Sequence, residues 1–131
     1  MFFAVVVAAA GVFAAPAPVL AHHGNASHEI GKVLTLKGTV TEWVWSNPHC
    51  FLKFDVKDDT GAVTLWVAET QNPVSIGKDG WSRRSFKPGD EVTVTLLPVK
   101  NGSPIGLVRS VTLASGQVLR TGTDTAQAQA R

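Results

Sequence analysis

"NPVSIGKDGW", residues 72–81, is where the chain changes its period, and that change decides the fold. Asn72 stands where a helix N-cap belongs and Pro73 at the first helical position. Gly77 and Gly80 hold the segment to one or two turns, and Ser82 offers a cap for a second short turn across "SRRS". On both sides of this interruption the apolar residues alternate with polar ones, the period of a strand rather than a helix.

Working outward, three strands precede the interruption. "VLTLKGTVTEWVW" (33–45) is rich in Val, Thr and Trp, a strand composition; Gly38 within it predicts a bulge or sharp bend. "SNPH" is a turn. "CFLKFDVK" (50–57) sets Cys50, Leu52, Phe54 and Val56 on one face and Phe51, Lys53, Asp55 and Lys57 on the other. "DDTG" (58–61) is a hairpin loop with glycine available for a positive φ. "AVTLWVAE" (62–69) puts Val63, Leu65 and Val67 opposite Thr64, Trp66 and Ala68. Two strands follow. "FKPGDEVTVTLLPV" is a turn and a strand with Val92, Val94 and Leu96 on one face. "NG" at 101–102 marks a hairpin, and "PIGLVRSVTL" (104–113) is the last long strand, extended by "QVL" at 117–119. Three strands, a short helix and two strands predict an all-β domain over 33–119. The expected form is a small five-stranded OB-like barrel with a short helix between strands 3 and 4. A five-stranded roll or sandwich shares the pattern.

The ends differ in character. Residues 2–15, "FFAVVVAAAGVFAA", are apolar and uncharged, and Pro16, Pro18 and the small Ala21 follow. This reads as a signal peptide, 1–21, with no Lys or Arg ahead of its apolar run. It predicts a periplasmic or secreted protein. An uncleaved leader of this length would instead anchor the chain in a membrane. Residues 22–32 read as a flexible segment and 120–131, "TGTDTAQAQAR" with its preceding arginine, as a disordered tail. Twelve Lys and Arg against ten Asp and Glu give a charge of +2, which offers no electrostatic argument for nucleic acid. The single cysteine, Cys50, excludes an internal disulfide. Its place on the aliphatic face of the second strand makes it a small buried apolar residue.

Several short motifs recur in combination: "AHHG" at 21–24, "TLKGTV" at 35–40, "WSNPHC" at 45–50, "GWSRRSFKPGDEVTV" at 80–94 and "RSVTL" at 109–113. Together they resemble an uncharacterised family of small exported bacterial proteins, a domain of unknown function. Its members carry a leader ending in Ala-His-His, a Trp-x-Asn-Pro-His motif and a Gly-Trp-x-Arg-x-Ser segment running into Lys-Pro-Gly-Asp. The resemblance spans most of residues 21–119 and implies no activity. Gly24 stands where the family pattern has Ser, and Cys50 where an aliphatic or aromatic residue is usual.

Three of the four histidines, His22, His23 and His28, fall within seven positions directly after the leader. Cleavage after Ala21 makes His22 the first residue, so its α-amine and ring Nδ1 close a chelate on one metal ion. A second imidazole completes a three-nitrogen site, a donor set suited to Cu(II). The α-amine titrates near about 8, so the metal displaces a weakly held proton. His49, in the turn between strands 1 and 2, is the expected partner; His23 and His28 are alternatives. A cut one residue earlier would place His23 third, another copper chelate. Against these stands the plain reading, in which the histidines form a polar tail and His49 bonds a turn carbonyl. The second functional reading is a metal-free accessory protein that docks on an envelope partner through an aromatic face of Trp43, Trp45, Phe51 and Trp66. Trp81 with Arg83, Arg84, Lys78 and Lys87 forms a basic cluster beside it. Packing of the same tryptophans into a small barrel competes with this reading. No GxSxG or glycine-rich phosphate loop points to an enzyme.

Overall fold

The structure, a computed structural model, describes residues 32–122. The apolar leader, His22, His23, His28 and the last nine residues of the tail lie outside the described residues. Six strands and one helix follow in order: β1 (Leu34–Val44), β2 (Phe51–Lys57), β3 (Val63–Glu69), α1 (Pro73–Gly77), β4 (Glu91–Pro98), β5 (Ile105–Leu113) and β6 (Val118–Arg120). The sheet runs β3-β2-β1-β4-β5-β6, and a parallel pairing of β3 with β5 closes the first five strands into a barrel. This is the expected OB-like barrel, with α1 between β3 and β4. α1 starts as its sequence predicts: the Asn72 side chain accepts from Ser75 N at 3.0 Å, satisfying one orphan donor of the first turn. Ile76 from this turn is fully buried.

β1 is long enough to serve two partners. Leu34–Thr39 pair with β4 and Thr39–Val44 with β2. Gly38 sits at the handover, where an added Cβ would run into the Asp55 carbonyl and the Phe54 ring. Glycine is therefore required by close approach of β2. The bulge expected there lies instead between Val40 and Glu42. An extra residue in one strand reverses the alternation beyond it. Leu34, Leu36 and Val40 face the core before the bulge; Trp43 and Trp45 pack against the same core after it. This corrects the expectation that these two tryptophans stand opposite the aliphatic face.

β3 is likewise reversed from its sequence reading. Leu52 pairs with Ala68 and Phe54 with Trp66. Cross-strand partners share a face, and Leu52 and Phe54 are fully buried, so Ala68 and Trp66 turn inward. Val63 and Leu65 turn outward and are 55% and 47% exposed. The register of the Asp58–Gly61 hairpin, not the composition of β3, chooses its inner face. β2, β4 and the Gly61 and Gly102 turns follow the sequence: Cys50, Leu52, Phe54, Val92, Val94 and Leu96 are buried, and both glycines have positive φ. Residues 117–119 do not extend β5. The chain turns at Gly116 (φ 89°) and β6 folds back antiparallel on Ser110–Thr112.

The strands are tilted strongly enough that one circuit of the barrel does not return to its origin. Cα partners run from Val44 to Phe51, to Glu69, to Leu107, to Leu97. The neighbouring Leu96 pairs with Leu34. A path that leaves the end of β1 thus comes back beside its start. Leu34 is three inter-strand steps from Glu69, roughly 15 Å at about 4.8 Å per step.

Candidate functional site

The β1–β2 connection, Trp45–Cys50, is braced by its own polar groups. Ser46 Oγ donates to the His49 carbonyl at 2.8 Å, and the Cys50 thiol donates to the Ser46 carbonyl at 3.6 Å. The β2–β3 ladder continues past its last strand residues: Thr70 N donates to the Cys50 carbonyl at 2.9 Å and Cys50 N to the Gln71 carbonyl at 3.3 Å. That ladder lays the His49 ring against the end of β3. His49 Nδ1 is 2.9 Å from the Thr70 carbonyl oxygen and 3.1 Å from Glu69 Oε1.

Both neighbours are acceptors, since a carbonyl carries no proton and an ionised carboxylate none either. Nδ1 therefore holds the hydrogen and donates it. In the neutral ring the lone pair is then on Nε2, which bonds nothing among the described residues. The side chain is 38% exposed. An imidazole with one N–H tied to a carbonyl or carboxylate and the other nitrogen bare is the form that ligates metals. Cys50 is fully buried and faces the core, so it does not join His49. Among the described residues no three His, Cys, Asp or Glu side chains converge to hold a metal. A metal at His49 would need further donors from outside the described side chains.

The aromatic residues do not form a single face. Trp43, Trp45, Trp66 and Trp81 all pack on the core, while Phe51, half-buried, lies on the opposite side of the sheet beside Val44 and Glu69. Trp81 is only 2% exposed and its indole N–H donates to the Arg120 carbonyl at 2.8 Å. Trp43 donates to the Ser82 carbonyl at 3.0 Å and meets Phe86 edge-on at 5.1 Å and Trp81 at 5.9 Å between ring centroids. The anchored chain stays ordered past Arg120: Thr121 is fully buried and its hydroxyl donates to the Val108 carbonyl at 3.0 Å. Order therefore reaches beyond the point where the sequence predicts a disordered tail. Arg83, Arg84 and Lys78 are exposed, but the buried Trp81 offers them no ring face. Lys87 pairs with Asp90 at 2.8 Å.

On the outside of the barrel Val63, Leu65 and Ile105 are exposed, and the Lys53–Glu42 ion pair at 2.8 Å lies on the same side. A shallow depression of about 190 Å³ lies elsewhere, between Lys37, Glu91, Thr93 and Thr112, and holds no histidine.

Glu69 and Thr70 are the residues that sequence reasoning misses. A signal for Glu69 exists. Counting equally outward from Thr60, the middle of the hairpin, reaches Phe51 on one side and Glu69 on the other, as paired. The carboxylate thus falls beside the strand that leaves the His49 turn.

Residues 9–109 match a protein family described as a family of unknown function. No curated protein matches the chain.

Proposed function

The chain belongs to that family, DUF6152, whose function is open, and we propose that it is an exported small binding module that holds copper through its mature amino terminus and His49. In this reading the leader is cut after Ala21 and the protein works in the periplasm or outside the cell. The α-amine and Nδ1 of His22 bind as a chelate, and His49 supplies the third nitrogen, with His23 as the nearby alternative. The observation that carries the reading is the bare Nε2 of His49 on an oriented, half-exposed ring.

Reach supports it. The described chain begins at Lys32, two residues before Leu34, and Leu34 is roughly 15 Å from Glu69 by inter-strand steps. His22 lies ten positions before Lys32, a stretch that spans up to about 33 Å when extended. The required path is well inside that limit, so an extended segment is not needed. The test is Cu(II) titration of protein that begins at His22 beside protein with one extra residue ahead of it. The extra residue removes the chelating α-amine from His22 and is expected to weaken binding by at least about tenfold, the loss of one good ligand interaction. Equal affinity of the two would reject the chelate.

A second reading, a metal-free accessory protein docking on another envelope protein, is favoured by the edge of β3 rather than by an aromatic face. Val67 N donates to the Pro104 carbonyl at 3.0 Å, so Val63, Leu65 and Val67 aim their main-chain groups toward β5. The ladder ends there because Pro104 has no N–H to offer Leu65. Val63 and Leu65 are left as an apolar open edge, which an extended strand of a partner would continue. Photo-crosslinkers at Val63 and at Val74, which is also exposed, test this. Adducts to one envelope protein from Val63 alone support docking; equal adducts from both contradict it.

A further inference from the structure

The two acceptors at the His49 ring, Glu69 and Thr70, lie twenty and twenty-one positions further along the sequence. We infer that Glu69 is a positioning residue for the proposed metal site: with the Thr70 carbonyl it holds the His49 ring in the Nδ1–H tautomer and turns Nε2 outward as the metal donor. This deepens the copper reading and rests on it for its function, though not for its geometry.

Three observations carry it. The first is the double acceptor at Nδ1, Thr70 O at 2.9 Å and Glu69 Oε1 at 3.1 Å. Histidine flips readily between tautomers when nothing distinguishes its nitrogens; two acceptors on one of them remove that freedom. The second is the stiffness of the frame. Glu69 is the last residue of β3, paired with Phe51 on β2 and Leu107 on β5, so its backbone is fixed on both sides. The third is that Glu69 makes no other ion pair among the described residues. Lys53, on the same outer surface, is taken by Glu42 at 2.8 Å. The Glu69 carboxylate is therefore free to act on the ring, and its negative charge raises the electron density at Nε2 through the shared N–H.

The Thr70 carbonyl alone is expected to keep the ring near its place but less firmly. Removal of a carboxylate partner of this kind weakens a metal site by about 10- to 100-fold. The conservative Glu69→Gln keeps an acceptor oxygen and loses only the charge, so it should recover a good part of that loss.

The experiment has a metal-free and a metal-loaded arm. Imidazole ¹⁵N spectra of the metal-free protein are expected to show His49 protonated at Nδ1, and Glu69→Ala to shift the ring toward a mixture of tautomers. Cu(II) titration of protein beginning at His22 is then expected to show weaker binding for Glu69→Ala, partial recovery for Glu69→Gln, and a changed copper hyperfine splitting for Glu69→Ala. Thermal unfolding of both variants checks that the barrel persists. An Nε2–H tautomer in the unaltered protein overturns the inference whatever copper does. Tight copper binding that is the same with Glu69 and with Ala overturns it too. Failure of the unaltered protein to bind copper would instead sink the function proposed above, while an Nδ1–H ring lost in Glu69→Ala would leave the positioning role standing.

Discussion

The aromatic cluster around Trp81 and the turn around His49 are both built from connections between strands, and they end in opposite states. In the first, every ring is covered by another: Trp81 lies 5.7 Å from Phe86 and 5.9 Å from Trp43, and both indole N–H groups that close the cluster are bonded to carbonyls. In the second, one ring nitrogen is bonded twice and the other has no partner among the described residues. Aromatic residues next to strand ends are thus no guide to a ligand face when a barrel this small needs their volume. A half-exposed ring whose orientation is fixed but whose lone pair is unused is the better sign of a site.

That contrast can be broken by substitution, and the largest effect falls in the cluster. Trp81→Ala is expected to cost about 3–5 kcal/mol by urea unfolding, since it empties a buried volume and removes the indole N–H bond to the Arg120 carbonyl; a loss below about 1 kcal/mol would show that the cluster does not close the core. Gly38→Ala comes next. Its methyl group would meet the Asp55 backbone and the Phe54 ring, and about 1–3 kcal/mol of overpacking strain is expected in the same measurement. Trp43→Phe keeps an aromatic group but loses the five-membered ring of the indole and the bond to Ser82, for roughly 1–2 kcal/mol.

On the other side of the comparison, His49→Ala should leave stability within about 1 kcal/mol while removing the proposed third copper nitrogen. If it unfolds the protein instead, the turn is structural and the contrast fails. The smallest expected effect is on acid stability. The Thr60 hydroxyl, followed by main-chain N–H groups, holds the Asp58 carboxyl below its ordinary value of 3.8. Lys87 does the same for Asp90. A depressed folded pKa contributes stability that is complete above the unfolded value and is lost as pH falls through the folded one. Asp58→Asn and Asp90→Asn should therefore flatten the decline of stability below about pH 4, read from unfolding midpoints between pH 2 and 5; an unchanged slope would contradict those hydrogen bonds.

The order of elements was legible in the sequence because Asn72, Pro73 and the paired glycines mark the one break in a strand-period chain. The faces of β2 and β4 were legible too, because large aliphatic residues occupy alternate positions without interruption. β1 and β3 were not. The bulge falls between Val40 and Glu42, where no glycine advertises it; Gly38 answers a different need, the approach of β2. β3 carries apolar residues on both faces, so its own pattern is silent, and only pairing with β2 sends Trp66 inward and Leu65 outward. At the site, His49 was visible as the only histidine inside the strand-rich region. Glu69 was not, because its role arises from hairpin register and from the two main-chain bonds that carry the ladder past Phe51.

The most direct test of the central claim is the electron paramagnetic resonance spectrum of Cu(II) bound to protein that begins at His22, recorded with His49 in place and with His49→Ala. The account predicts a spectrum with three coordinating nitrogens in the first and two in the second, with weaker binding. Identical spectra, or no stoichiometric copper in either protein, would contradict it.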